Sequence, residues 1–240
     1  MARNLVIVTG GSSGIGLALL AGCPLEDARC IDVSRRGAPG WEHVPADLAT
    51  PEGWKAAASL FDREIVGFAG ERVVCFHSAG TLAPIGFAGE VDAAAYAKNV
   101  LLNSAAPQVL GDAFLRAAVG TRARCDLVMI GSGAASSVYE GWTGYGAGKA
   151  AVNQWVAIAG AEQQRRGGRC RVLSVAPGVV ETAMQEEIRQ TPERDFPDLE
   201  RFVALHEEGQ LRDTREVAQD LWSLIDRPDL ANGAVLDLRT

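Results

Sequence analysis

The sequence predicts an α/β fold built on a doubly wound parallel sheet of about seven strands, with helices on both faces. Three observations support this prediction. Short apolar runs recur along the chain, longer stretches with helical patterns separate them, and a glycine-rich turn follows the first run. Because the apolar runs do not alternate with polar residues, both faces of the sheet must be covered by other elements.

Strands and helices alternate in the order that such a sheet requires. The apolar runs predict strands at residues 5–9, 28–34, 43–46, 72–77, 126–131, 171–176 and 234–238. The intervening patterns predict helices at residues 14–21, 51–65, 91–97, 101–119, 144–166 and 214–226. In a doubly wound sheet, ligands bind beyond the carboxyl ends of the strands.

One long insertion, residues 181–212, interrupts this alternation before the last helix and strand. It is rich in charge and contains Pro192 and Pro197. Long loops in compact domains often cover a binding site. We therefore expect residues 1–240 to form a single domain in which this segment is a possible substrate lid.

The charge balance and the apolar pattern exclude several classes of partner. The chain has 23 basic and 30 acidic residues, a net charge of -7, which offers no electrostatic footprint for nucleic acid. It contains no uninterrupted apolar run of about 18 residues, and the N-terminus enters a strand without a signal-like segment. We expect a cytoplasmic protein that binds neither nucleic acid nor membranes.

The five cysteines occur singly, and four of them lie in or beside apolar runs. This pattern is typical of small buried hydrophobic residues in a reducing compartment, and it favours neither a disulfide framework nor a zinc site. The three histidines likewise lack the spacing of metal ligands. We expect no bound metal.

The turn after the first strand, residues 10–16 (GGSSGIG), carries the first functional signal. Glycines let the backbone approach a ligand closely, and the start of a helix offers free N–H groups to a pyrophosphate. The turn lacks the Lys-Ser/Thr ending of an ATP-binding loop, so it favours a dinucleotide. We expect its contacts to come from Gly10, Ser12, Ser13, Gly14, Ile15 and Gly16.

A tyrosine and a lysine four residues apart, Tyr145 and Lys149, lie on one face of a predicted helix. An ammonium group near a phenol favours the phenolate, so the pair can donate a proton near neutral pH. Ser132, at the end of a predicted strand, could hold a substrate carbonyl for that proton. Taken singly, the pair could be a solvated helix face and the serine a turn cap.

In order and spacing, these motifs resemble those of the short-chain dehydrogenase/reductase family over nearly the whole chain. The matching residues are Thr9-Gly-x-x-x-Gly-Ile-Gly16, Asp47-Leu48, Ser132, Tyr145-x-x-x-Lys149 and Pro177-Gly178 with Thr182. The resemblance implies a Rossmann-type sheet and a nicotinamide cofactor. It also implies that Tyr145 is the general acid, that Lys149 lowers its pKa and binds the nicotinamide ribose, and that Ser132 orients the carbonyl.

The family also has an asparagine that positions the lysine through an ordered water. The resemblance assigns this role to Asn103, because Ala106 and Pro107 follow it at three and four positions, and leaves Asn99 as the second choice. Further cofactor contacts implied by the resemblance are Asp47 and Leu48 at the adenine, Ala79, Gly80, Pro177 and Gly178 along the backbone, and Val180 and Thr182 near the carboxamide.

One departure from the family pattern lies after the fourth strand. The family usually has Asn-Asn-Ala-Gly where this chain has His77, Ser78, Ala79 and Gly80. Ser78 is shorter than a carboxamide side chain, which leaves open a change in cofactor affinity or local rigidity. His77 could be a base, but burial at a strand end is the interpretation we favour.

The end of the second strand indicates which nicotinamide cofactor is bound. Asp32 lies at about the distance from the glycine turn where NAD enzymes place an acid. The discriminating position falls after Ser34, however, so Arg35 and Arg36 are better placed to pair with a 2′-phosphate. The sequence therefore favours NADP, as NADPH, over NAD.

Within the family, the second half of the chain resembles sepiapterin reductase and the bacterial benzil reductases. The resemblance implies reduction of one carbonyl of a vicinal dicarbonyl or keto-pterin by NADPH. We expect the substrate side of the site to include Leu82, Gly133, Trp142, Met184, Gln185 and Asp237. Leu82, Trp142, Met184 and Gln185 could line a pocket for an aromatic group, and each could equally be a packing residue. Asp237 corresponds to an aspartate that anchors the pterin ring, and its alternative role is to close the last strand.

Other functions remain open on the same scaffold. A 3-oxoacyl-thioester reductase or a sugar or alcohol dehydrogenase is the nearest rival, although an acidic chain offers little to an acidic acyl carrier. From a different class, the chain could be a catalytically silent NADP(H)-sensing protein. The resemblance further implies a homodimer or homotetramer that acts on a small carbonyl substrate.

Overall fold

One seven-stranded sheet forms the centre of the protein, in a computed structural model that describes residues 2–239. The strands are β1 (Asn4–Thr9), β2 (Ala28–Ser34), β3 (Glu42–Pro45), β4 (Arg72–His77), β5 (Arg124–Ile130), β6 (Cys170–Ala176) and β7 (Val235–Asp237). Their order is β3-β2-β1-β4-β5-β6-β7, and each neighbouring pair is parallel. This sheet confirms the predicted fold class.

The helices are α1 (Gly14–Ala21), α2 (Pro51–Ile65), α3 (Ala93–Val100), α4 (Ala106–Ala118), α5 (Thr143–Arg165), α6 (Ala183–Arg189), α7 (Leu199–Glu207) and α8 (Thr214–Ile225). Local chemistry sets where several begin. The Thr50 side chain accepts a hydrogen bond from the Gly53 N–H ahead of Pro51, and Asp213 caps α8 in the same way. Within residues 2–239, none of these helices is long and apolar enough to cross a membrane.

The prediction of separate helices at 91–97 and 101–119 was wrong. A π-helical turn, Leu101–Ala105, joins α3 directly to α4, so the two stretches form one continuous helix. Single π turns often occur at functional sites. The sequence pattern could not show this turn, because the periodicity of a helix barely changes over one shifted hydrogen bond.

Both faces of the sheet are buried, as the unbroken apolar runs predicted. On one face, Leu5 and Ile7 of β1 join a core with α2, α4 and α5, in which the rings of Phe61 and Phe114 meet edge to face at 5.6 Å. On the other face, Val6 and Val8 join a core with α1 and α8. Alternate residues of β1 thus support opposite layers.

The insertion 181–212 is not a structureless loop. It contains α6, a short 3₁₀ turn (Glu193–Asp195) and α7, and it packs through Phe196 and Phe202 against Trp142. The segment therefore covers the carboxyl edge of the sheet beside α5. That it opens and closes as a lid stays a prediction.

A buried charge cluster holds the opposite edge of the sheet. Asp126 is fully buried and lies 2.9 Å from an Nη2 atom of both Arg72 and Arg171, and 3.2 Å from Nε of Arg124. All three guanidinium groups also donate to the carbonyl of Ile225, the last residue of α8. The cluster thus joins β4, β5 and β6 to the end of α8.

We predict that Asp126→Asn lowers the free energy of unfolding by about 3–5 kcal/mol, because it leaves three arginines around a neutral partner in a buried site. Urea unfolding followed by circular dichroism measures the loss. Asp112→Asn is the control, since the Asp112–Arg116 pair is two-thirds exposed and is expected to contribute less than about 1 kcal/mol. Equal losses in the two variants would contradict the role of the cluster.

Candidate active site

A cleft of about 710 Å³ lies beyond the carboxyl ends of the strands. The loops after β1, β2, β4, β5 and β6 form its floor, and the segment 181–212 forms one wall. Because parallel strands all end at the same edge, residues far apart in sequence meet there. Residues of the glycine turn and Tyr145, although more than 100 positions apart in the sequence, therefore line the same cleft.

Most of the predicted site residues line this cleft. They are Gly10, Ser12, Ser13, Gly14, Ile15, Arg35, Arg36, Asp47, Leu48, Ser78, Ala79, Gly80, Leu82, Ser132, Gly133, Trp142, Tyr145, Lys149, Pro177, Gly178, Val180, Thr182, Met184 and Gln185. Three predicted residues do not line it: Gly16, Asn103 and Asp237.

The glycine turn has the backbone that a bound phosphate needs. Gly10 and Gly14 have φ angles of +71° and +53°, in the region that favours glycine. A Cβ on Gly10 would lie 2.9 Å from the backbone of Ala79, so the β1 and β4 loops approach closely only because the side chain is absent. Ser13 does not cap α1 with its side chain, which leaves first-turn N–H groups for a ligand.

Gly16 has a structural role and makes no contact with the cleft. A Cβ at this position would collide with the carbonyl oxygen of Gly10. The turn can therefore fold back on the start of α1 only with glycine here. That Gly16 also contacts the cofactor stays a prediction.

The end of β2 presents arginines to the cleft and turns its aspartate away. Asp32 is fully buried and does not line the cleft, and its Oδ2 accepts a 2.7 Å hydrogen bond from Ser34. Ser34 Oγ in turn accepts the N–H of Gly37. Asp32 thus orders the turn that carries Arg35 and Arg36.

Ser132, Tyr145 and Lys149 meet where β5 ends beside α5. Lys149 Nζ donates a 2.7 Å hydrogen bond to the carbonyl of Ile130, the last residue of β5, and lies 5.6 Å from the centre of the Tyr145 ring. Ser132 also lies near Tyr145, and its hydroxyl opposes the effect of burial on the pKa of the phenol. All three residues line the cleft, where a hydroxyl, a phenol and an ammonium group are available for proton transfer.

The pKa values of this pair differ from the sequence-based expectation. Burial raises the pKa of Tyr145 above its usual value, and only the hydrogen bond with Ser132 opposes that shift. Burial also lowers the pKa of Lys149 to about 8. Removal from water therefore outweighs the effect of the ammonium on the phenol, because Lys149 points at a backbone carbonyl and not at the hydroxyl.

Asn103 lies behind the cleft, in the π turn. Its side chain accepts a 3.1 Å hydrogen bond from the Thr81 N–H and donates to the Thr81 carbonyl and to Asn99. A Cβ on Gly148 would lie 2.9 Å from Cβ of Asn103, so the π turn packs on α5 only across a glycine. Asn99, the second choice, lines the cleft itself.

The departure at His77 and Ser78 has a clear structural outcome. His77 is buried, its Nδ1 lies 3.1 Å from Oγ1 of Thr9, and burial lowers its pKa to about 3. It is therefore neutral at physiological pH and forms part of the β1–β4 contact, as we favoured. Ser78 lines the cleft.

Aromatic residues surround the substrate end of the cleft. The ring of Trp142 stacks on Phe196 at 4.6 Å and lies 5.8 Å from the ring of Tyr145. Among the described residues, Trp142 Nε1 and Gln185 Oε1 are buried without a hydrogen-bond partner, although both residues line the cleft. A bound ligand could therefore supply an acceptor to the indole and a donor to the amide.

Asp237 does not line the cleft in the structure, and its predicted contact with the substrate stays a prediction. Its carboxylate is held by Arg239, whose Nε lies 2.9 Å from Oδ1, and it is Arg239 that lines the cleft. The sequence missed four other residues of this region as well: Tyr139, Glu187, Arg201 and Phe202. They lie outside any recognised motif, so no local signal distinguished them from ordinary surface residues.

Comparison with known proteins agrees with this geometry. The family model for short chain dehydrogenases matches residues 4–193. A benzil reductase ((S)-benzoin forming) of Bacillus subtilis (strain 168) is 30% identical over 244 residues, covering 98% of each chain. Sepiapterin reductase of Rattus norvegicus is 31% identical, covering 96% of this chain and 94% of that protein. The crystal structure of the KRED1-Pglu enzyme is similar with a TM-score of 0.78 at 27% identity, covering 97% of this chain and 99% of that chain.

This chain therefore belongs to the short-chain dehydrogenase family. It is an oxidoreductase, and membership of the family implies a nicotinamide cofactor. The residues present fit such a group, because the Gly10–Ala79 contact forms a cradle that any Cβ would fill. Arg35 and Arg36 supply cations at one end of the cleft, and Ser132 with Tyr145 supplies hydroxyl groups at the other.

We predict that Lys149→Met stabilises the protein at pH 7 and that this advantage shrinks by about 3 kcal/mol as pH rises from 8 towards 10.5. Below pH 8 the wild-type lysine is charged in both the folded and the unfolded state, so its burial lowers the free energy of unfolding. Between the two pKa values the unfolded chain binds more protons, so wild-type stability rises with pH. Urea unfolding across this range measures the difference. Lys55→Met, on the exposed side of α2, is the control, and an identical pH dependence in both variants would contradict the assignment.

Proposed function

We propose that this protein is an NADPH-dependent carbonyl reductase for a vicinal dicarbonyl or a keto-pterin. The observation that carries the proposal is that Ser132, Tyr145 and the buried ammonium of Lys149 line the same cleft where β5 ends beside α5. The similarity to proteins named benzil reductase and sepiapterin reductase supports this class of substrate.

Ser132 and Tyr145 are suited to hold one carbonyl oxygen between two hydroxyl groups. When bound, the reduced nicotinamide supplies the hydride for the carbonyl carbon. Tyr145 donates its proton to the oxygen, and its raised pKa keeps the phenol protonated at neutral pH. Lys149, with a pKa of about 8, is cationic at that pH and stabilises the phenolate that remains.

A proton must then return to Tyr145, and we propose that it comes through the space beside Gly80. A Cβ at Gly80 would lie 3.1 Å from Oδ1 of Asn103 and 3.8 Å from Nζ of Lys149. A water in this space could reach both groups. Asn103 would thus act on the reaction through Lys149, without touching the substrate.

The shape of the substrate end favours an aromatic carbonyl compound. Trp142, Phe202 and Leu82 form an apolar wall, which matches the aryl groups of benzil or a flat pterin. The unpartnered Nε1 of Trp142 could donate to a second carbonyl. We expect this short aromatic wall to favour a compact ring over the long flexible chain of a 3-oxoacyl thioester.

We predict that Tyr145→Phe lowers kcat for benzil at least roughly 100-fold, because the proton donor is lost. The KM for NADPH should stay within about threefold, since the ring remains in place. Spectrophotometric NADPH oxidation measures both constants. Tyr96→Phe, a tyrosine of α3 that does not line the cleft, is the control and should retain wild-type kinetics.

The same assay over a panel tests the substrate class. The panel contains benzil, sepiapterin, a 3-oxoacyl thioester and a sugar alcohol with the oxidised cofactor. The highest kcat/KM should belong to benzil or sepiapterin. Faster turnover of the thioester or the alcohol would refute the proposed class, and binding of NADPH without oxidation by any compound would indicate a silent sensor.

We also propose that Arg35 and Arg36 select NADPH, since both line the cleft where β2 ends while Asp32 faces away. Replacing both by alanine should raise the KM for NADPH about tenfold or more and leave the KM for NADH within twofold. Steady-state kinetics with each cofactor measures this. Arg227→Ala, outside the cleft, is the control. An unchanged KM for NADPH would show that the preference lies elsewhere.

A further inference from the structure

We infer that the substrate end of the cleft binds a carboxylate, so that the preferred substrate is a 2-oxo acid. In such a compound the reacting ketone and the carboxylate are neighbours, which makes it a vicinal dicarbonyl with one charged end. This inference rests on the proposed reductase function and specifies its substrate class.

The first observation is the position of Arg239. Its Nη2 lies 3.3 Å from the place that a Cβ on Gly133 would occupy, and its Cγ lies 3.3 Å from the equivalent place on Gly178. Gly133 directly follows Ser132, which we assign to the reacting carbonyl. The guanidinium group therefore lies against the backbone of the residue that follows Ser132, on the side of the cleft where the group next to the reacting carbonyl would bind.

The second observation is that Arg239 keeps hydrogen-bonding capacity for a ligand. Nε and Nη2 donate to Asp237, and among the described residues Nη1 has no acceptor. The pair with Asp237 holds the guanidinium in one orientation, which reduces the entropy cost of binding a second carboxylate. Asp237 thus positions the cation and does not itself contact the cleft.

A second cation lies on the facing wall. Arg201 of α7 lines the cleft, with its Cζ 5.8 Å from the ring centre of Tyr139 and 5.9 Å from that of Phe202. Its Nη1 lies 3.4 Å from the Tyr139 hydroxyl. Within residues 2–239, Arg201 has no carboxylate within ion-pair distance, so its charge is not neutralised by the protein.

Acidic groups nearby offset only part of the charge of these two cations. Asp237 offsets Arg239, and Glu187 is the acidic side chain of α6 that lines the cleft. Burial raises the pKa of Glu187. Arg201, which has no carboxylate partner among the described residues, and the remaining N–H groups of Arg239 are therefore available to an anionic group of the substrate.

The reaction balances as for any ketone. A hydride from NADPH adds to the ketone carbon, the carbonyl π bond breaks, and its electron pair takes the proton of Tyr145. The products are a 2-hydroxy acid and NADP⁺, and the carboxylate is unchanged. The carboxylate serves only to orient the ketone, through Arg239 and Arg201.

The test compares benzoylformate with its methyl ester, which have the same aryl ketone and differ in charge. In the wild type, kcat/KM should be at least about tenfold higher for the acid.

Arg239→Gln should raise the KM for the acid about tenfold and leave the KM values for the ester and for NADPH within twofold. Arg201→Gln should act in the same direction. Arg227→Gln, an exposed arginine away from the cleft, is the matched control.

The outcomes separate this inference from the proposed function. The carboxylate site is overturned if benzil or the ester is reduced and the acid is not preferred, or if the preference for the acid survives Arg239→Gln. Either result leaves the proposed reductase function intact. Oxidation of NADPH by none of the three compounds overturns the reductase. In that case calorimetric titration with benzoylformate decides the site alone: binding that Arg239→Gln abolishes supports it, and no binding overturns it.

Discussion

The hydrogen bond from Lys149 to the carbonyl of Ile130 is the contact around which the site is arranged. It ties α5 to the last residue of β5, and so it sets Tyr145, one turn earlier on α5, against Ser132 on the adjoining loop. A charged group nearly removed from water is costly, and this hydrogen bond offsets only part of that cost. Burial of Lys149 therefore lowers the free energy of unfolding, and the same burial places a cation beside the proton donor Tyr145.

Several glycines allow the backbone to approach closely around this contact. Gly148 lets the π turn with Asn103 pack on α5, and Gly10 lets the β1 and β4 loops meet. The π turn directs the Asn103 side chain back to Thr81 and Asn99. The hydrogen-bond pattern of the continuous helix from Ala93 to Ala118 therefore changes at Leu101–Ala105, where Asn103 contacts the residues behind the cleft.

Charge is distributed unevenly along the cleft. Arginines of the β2 loop lie at the end suited to a phosphate, while Arg201 and Arg239 lie at the end suited to the substrate. Tyr145 and Lys149, both buried, also line this cleft. Each end of the cleft thus has arginine side chains that could bind an anionic group of a ligand.

By itself, the sequence determined the sheet, the glycine turn and the residues that stand directly after strand ends. These follow from local rules, because an unbroken apolar run must be buried on both faces and a loop after a parallel strand must open at one edge. Only the tertiary structure decided which side chains of the later segments face the cleft. Arg239 replaces Asp237 there because the two form an ion pair across the end of β7, and Arg201 reaches it because α7 packs on Trp142. Asp237 and Arg239 are only two residues apart, but which of them faces the cleft, and whether α7 brings Arg201 to it, depends on the packing of the whole fold and not on spacing along the chain.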